Sequence, residues 1–172
     1  MQITVAEARL LKNAVSKKLH DLIQDRSQIA YVEFEKGEEY TPHAQTFQVV
    51  SAEIQQVRNH YRAVTKALAA SNLRTTIEWK GEKISIVEAL ELVKQLRAEA
   101  EMLQEFGNSQ QVERIARGAF DANVVYKKAL FDPPAVKKQA EKTEKEANRL
   151  SILIDKANFN AAVDLDFVEE YQ

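Results

Sequence analysis

TTIEWKGEKISIVEAL occupies Thr75–Leu90 and holds the only tryptophan of the chain, Trp79, and one of its four glycines, Gly81. Thr75, Ile77 and Trp79 fall on one face of an extended segment, and Thr76, Glu78 and Lys80 on the other. Lys80-Gly81-Glu82 supplies turn chemistry, and Lys83-Ile84 carries the chain back. Ser85-Ile86-Val87-Glu88 is then a capping box. Its hydroxyl accepts from an orphan N–H of the first helical turn, and its carboxylate reaches back to the cap backbone. The stretch predicts a β-hairpin that closes one helix and opens the next. That makes the chain a set of helices joined by small β corners.

The flanking segments support this reading. Phe47, Val50, Ile54, Val57, Tyr61, Val64 and Leu68 are spaced alternately by three and four, a seam of the coiled-coil type. A helix carrying it, started by Thr41-Pro42 and ending near Ser71-Asn72, is roughly 40 Å long at 1.5 Å per residue. Ile86, Ala89, Val93, Leu96, Ala100 and Leu103 repeat the pattern before a Gly107-Asn108 stop. Asp132-Pro133 opens a last helix with Val136, Ala140, Thr143, Ala147, Leu150, Ile154 and Ala157 in the same frame. At the N-terminus, Thr4-Val5-Ala6-Glu7 is another capping box. The face after it, Val5, Ala8, Val15, Leu19, Leu22 and Ile29, is broken by Lys12 and Arg26. Alternation at Val32 and Phe34 predicts a strand over Ala30–Glu35, and Val124–Leu130 reads as another.

These elements predict a mainly α fold: an antiparallel bundle of about four long coiled-coil-type helices with short hairpin or strand corners, in one domain over residues 1–172. Residues 161–172 read as an acidic tail. In an up-and-down bundle the strands at Ala30–Glu35 and Val124–Leu130 share an end and pair, and the Thr75–Ile84 hairpin stands at the other end. The alternative is a pair of long helical hairpins whose cores are completed on oligomerisation.

Composition narrows the function. The net charge of -2 lacks the basic excess of a non-specific nucleic-acid binder. The absence of cysteine excludes disulfides, thiol catalysis and thiolate metal sites. No stretch reads as a signal peptide or a membrane span, so a cytoplasmic protein is expected. His20, His43 and His60 have no metal-ligand spacing, and no Glu-x-x-His pair of a di-iron bundle occurs. Phosphate-binding glycine loops and a nucleophile elbow are missing as well. No catalytic, cofactor-binding or metal residue is assigned, and no cofactor is expected.

Two segments carry a family resemblance. ASNLRTTIEWKGEKISIVEALELVKQLR is similar to a stretch of septicolysin-like small bacterial proteins in which a helix ends near Asn, a turn follows and a Leu-x-Glu-Ala-Leu-type helix begins; here that start is Ile86-Val87-Glu88-Ala89-Leu90. VVYKKALFDPPAVKKQAEKTEKEANRLSILIDKANF resembles the closing unit of that family through Leu150, Ile154 and Asn158. Asp155 stands where the family has Gln, Phe159 where it has Trp, and Ser151 where it has an acidic residue. The resemblance implies no catalytic or binding residue. The family name implies a membrane-active, cytolysin-like protein.

Ile77, Trp79 and Lys80 are the candidate partner contact, since an isolated hairpin needs support that another subunit can give. The bland reading is that Trp79 closes the end of the bundle as a lid. The function expected is a non-enzymatic structural or protein-interaction bundle that self-associates as a homo-oligomer. Its alternatives are a membrane-active protein and an enzyme with an unrecognised site.

Overall fold

The computed structural model describes residues 1–115 and 124–171. The order is β1 (Gln2–Thr4), α1 (Val5–Ile29), α2 (Phe47–Arg74), β2 (Thr76–Trp79), β3 (Glu82–Ser85), α3 (Ile86–Gly107), β4 (Val112–Ile115), β5 (Val125–Lys128), α4 (Pro133–Asn160) and β6 (Ala162–Asp164), closed by a 3-10 turn at Val168–Tyr171. The fold is mainly helical, with four helices and three two-stranded antiparallel pairs among the described residues: β1 with β6, β2 with β3, and β4 with β5. The chain divides into two compact units. Unit 1 is Met1–Thr75 with Ala157–Gln172, and unit 2 is Thr76–Lys156.

In unit 1, α1 and α2 pack antiparallel. Lys18 pairs with Glu53 at 3.4 Å, and the Arg26 guanidinium lies over the Phe47 ring. Thr4 and Glu7 form the expected capping box at the start of α1. The seam of α2 is realised through Val50, Ile54, Val57 and Val64, which are buried against Val5, Ala8, Leu11, Val15 and Leu22 of α1. The two residues that break the α1 pattern sit at its edges on aromatic faces: Lys12 over Tyr61, and Arg26 over Phe47. Their aliphatic stems cover apolar surface while the charge stays wet.

Three expectations for this unit are corrected. Ala30–Glu35 is not a strand, and it pairs with nothing at Val124–Leu130. Both faces of 31–46 are exposed, so the alternation at Val32 and Phe34 has no core to face. The second helix starts five residues after Pro42, at Phe47, where the Thr46 hydroxyl accepts from the Val49 N–H at 3.3 Å. The residues read as an acidic tail form β6 and the 3-10 turn, and Val163, Leu165, Phe167 and Val168 belong to the core.

In unit 2, Lys80 and Gly81 both have positive φ, 50° and 89°. That is the two-residue turn whose twist suits a hairpin, and the register Ile77 to Ile84 and Trp79 to Glu82 follows from it. Ser85 and Glu88 then cap α3 as the sequence predicts. Helices α3 and α4 run antiparallel, with Arg97 donating to the Ser151 hydroxyl at 3.1 Å. Ile86, Ala89, Val93 and Ala100 of α3 are buried, as are Ala140, Ala147, Leu150 and Ile154 of α4.

Helix α3 stops where expected, for a different reason. Gly107 lacks the left-handed conformation of a glycine cap, and the cap residue Asn108 is right-handed as well. What requires glycine is the close approach of α4: a Cβ at 107 would lie 2.7 Å from the Lys137 Cα. The strand predicted over Val124–Leu130 is confined to Val125–Lys128, and its partner β4 had no clear signal in the sequence.

Candidate functional site

The predicted contact residues come together on the β2–β3 hairpin. Ile77 and Trp79 lie on one face and are half-buried, and Lys80 occupies the turn. The Lys80 ammonium donates to Glu146 of α4 at 2.8 Å and lies 5.6 Å from the centre of the Trp79 ring. The hydrogen bond from Lys80 is the main cause that holds the Glu146 carboxyl below the usual carboxylate range. The corner is thus tied down within its own unit, with Trp79 left partly open.

A second constellation was not found from sequence. In unit 1 the His60 ring stacks on Phe167, with centroids 4.2 Å apart and planes 1° from parallel. Its Nδ1 is 2.8 Å from the Tyr171 hydroxyl and 3.8 Å from a Glu170 carboxylate oxygen. Burial raises the Tyr171 phenol above its ordinary pKa, helped by the carboxylates of Glu170 and Glu53. These groups clasp the 3-10 turn onto α2. The available signal was the alternation Val163, Leu165, Phe167 against Asp164 and Asp166, which is strand-like.

Two grooves stand out on unit 1 among the described residues. One of about 340 Å³ is lined by Met1, Ile3, Leu10, Leu11, Ala14 and Val168, with Glu7 and Tyr171 on its edge. The other, about 520 Å³ and shallow, runs along Ala63, Ala67 and Ala70 beneath Asp164 and Asp166. The titratable side chains along them are Glu7 and Tyr171 in the first and Lys66, Asp164 and Asp166 in the second. Among the described residues no group of three or more His, Asp or Glu could hold a metal ion. No helix is long and apolar enough to cross a membrane, among the same residues.

The feature that stands out is apolar surface outside the cores. The connection between α1 and α2 carries Tyr31, Val32, Phe34 and Tyr40 in the open; Tyr31 is 85% and Phe34 59% exposed. The rings of Phe34 and Tyr40 lie 5.6 Å apart. In unit 2, Val112, Val124, Tyr126 and Leu130 line the β4–β5 ribbon and its flanks, Tyr126 at 62% and Leu130 at 94% exposure. The base of that ribbon is fixed: Ala129 donates its N–H to the Gln111 carbonyl at 2.9 Å, and the Gln111 amide donates to the Ala129 carbonyl at 2.8 Å.

Among the described residues the protein is mainly helical with small strand pairs, and the 31–40 connection and the β4–β5 ribbon are among the places where it exposes apolar side chains. No protein-family model matches the chain, and no curated protein does. Among solved structures it is similar to one described as the crystal structure of a functionally unknown conserved protein from Corynebacterium diphtheriae. The TM-score is 0.68 at 16% identity, over 95% of this chain and 100% of that one. At that identity the likeness is one of fold, and no residue role passes with it.

Proposed function

We propose that this chain is a non-enzymatic interaction protein that associates with further copies of itself. The observation that carries the reading is the clustering of exposed apolar side chains. Scattered surface hydrophobics are ordinary, whereas contiguous ones mark contact sites. Tyr31, Val32, Phe34 and Tyr40 lie within ten residues of one another, all exposed. The narrow seams of α2, α3 and α4 are of the coiled-coil type and belong to the same reading. The partly open Ile77–Trp79 face of the β2–β3 hairpin remains a second candidate contact, with Lys80 beside it paired to Glu146.

The septicolysin-like resemblance supports a membrane-active reading, to which the exposed aromatics of 31–40 also lend weight. Glu33, Glu35, Glu38 and Glu39 on that same connection disfavour an anionic lipid surface. Self-association is therefore preferred. Sedimentation velocity across micromolar to submillimolar concentrations tests it. A species that grows with concentration is expected; a monomer throughout overturns the reading, and leakage of dye from neutral and anionic vesicles would favour the other.

A further inference from the structure

Resting on the self-association reading, we propose that the contact is head to tail: the acidic, aromatic connection Tyr31–Tyr40 of one copy docks on the basic, aromatic face of the β4–β5 ribbon of another.

The two surfaces are complementary in both chemistry and charge. The connection carries Glu33, Glu35, Glu38 and Glu39 against a single ammonium, Lys36. All are exposed, and no ion pair among the described residues involves any of them. Phe34 and Tyr40 sit between these carboxylates as a tilted aromatic pair. On the ribbon, the register places Val112 opposite Lys128 and Arg114 opposite Tyr126. Side chains directly opposite in an antiparallel pair share a face. One face therefore presents two cations, an aromatic ring and a valine, all exposed. Glu113 and Lys127 are opposite each other on the other face, where their charges cancel. The sign difference is thus concentrated on the face that also carries the apolar contacts.

Complementary patches of this composition give an aromatic centre with a rim of opposite charges, the anatomy of a specific but modest interface. Arg114 can take a carboxylate in a bidentate fork, and Phe34 and Tyr40 can cover Tyr126 and Val112. A nucleic acid is a poorer occupant. The face offers only two cations, next to apolar groups that a phosphate backbone leaves uncovered, on a chain whose net charge is -2. The partner surfaces differ, so the contact is heterologous and adds copies head to tail until a ring closes.

The test uses two charge-reversed full-length chains, Glu33→Lys/Glu35→Lys/Glu38→Lys and Arg114→Glu/Lys128→Glu, with circular dichroism to show that both keep the parent helicity. All five positions are solvent-exposed, so folding should survive. Each variant alone should sediment as a monomer where the parent associates, with affinity down about tenfold or more. Mixed, they should associate again, because the native ribbon of the first meets the native connection of the second, and the reversed connection of the first meets the reversed ribbon of the second with the two charges exchanged. A parent that associates while both variants associate equally well overturns this contact and leaves self-association standing. A parent that is monomeric throughout overturns both. A mixture that stays monomeric, or a parent that binds a single-stranded oligonucleotide through Arg114 and Lys128 with no effect of loop reversal, also overturns the proposal.

Discussion

Gly107→Ala should destabilise unit 2 even though alanine is the better helix former. Gly107 is the last residue of α3, and its Cα faces the backbone of α4 at Lys137. An added Cβ would meet the Lys137 Cα at 2.7 Å and its Cβ and N at 2.8 Å. Carbon atoms in favourable contact sit about 3.5–4.0 Å apart, so the two helices must part locally by roughly 0.8 Å. Two of the three obstructing atoms are backbone, which cannot swing aside as a side chain does. Overpacking of this kind costs about 1–3 kcal/mol. Against it stands the propensity advantage of alanine over glycine, at most about 1 kcal/mol mid-helix and less at a final residue. The expected net loss is about 1–2 kcal/mol. Trp79 is the only tryptophan and lies in unit 2, so its fluorescence in a urea titration reports that unit directly. The transition midpoint should fall while the slope is kept. An unchanged or raised midpoint would refute the account of Gly107 as a close-approach residue.

Ile154 is buried in α4 and Lys145 is exposed on it, so Ile154→Ala should cost about 2–5 kcal/mol and Lys145→Ala less than about 0.5 in the same titration. Ser85→Ala should cost about 1 kcal/mol by removing the cap of α3. The Ser85 backbone and then its hydroxyl, both hydrogen-bonded to Glu88, hold that carboxyl below its ordinary value of 4.5. The contribution is therefore complete above that value and lost as pH falls through the lowered folded one. Glu88→Gln keeps the cap geometry but should flatten this acid limb, seen in urea midpoints from neutral pH downward. Tyr171→Phe removes the hydroxyl that meets His60 at 2.8 Å and should cost about 1 kcal/mol in far-ultraviolet melts, leaving the Trp79 transition in place.

What was legible in the sequence follows the strength of local signals. Capping boxes involve residues three apart, and both were found at Thr4 and Ser85. The buried stripes of α2, α3 and α4 were legible because apolar residues recur at helical spacing over several turns, although Phe47, read as the first residue of the α2 seam, is exposed. The β2–β3 hairpin was legible because Lys80-Gly81 supplies the positive φ that its turn requires. What failed depends on partners far away in sequence. Gln2–Thr4 is too short to read as a strand until Ala162–Asp164 is beside it. Val163, Leu165 and Phe167 looked scattered because their burial is provided by α1 and α2, the nearer of which ends at Arg74, 89 residues before Val163. Conversely, Val32 and Phe34 alternate like a strand, yet nothing covers them. Alternation specifies a strand only where one face finds a core. The interaction surfaces suffer from the same limit. Lys80, read as part of a contact surface with Trp79, also pairs with Glu146, 66 residues away. The aromatic content of 31–40 was visible, while its exposure was not.

The β1–β6 pairing has a consequence for how the chain comes to be folded. The Met1 amine donates to the Leu165 carbonyl at 2.6 Å, a contact spanning 164 residues. Unit 1 is thus assembled from two pieces of chain, with all of unit 2 between them. On a ribosome Thr76–Lys156 is synthesised before Val163, Leu165 and Phe167. Until those residues arrive, the α1–α2 pair holds an uncovered apolar flank. Contacts of such long sequence separation form late, because the intervening loop must be closed first. If unit 2 has already folded, it shortens that loop to a compact body whose two ends are fixed. The order of synthesis would then favour the order of folding, and newly made chain stalled before residue 163 is the species most in need of a chaperone.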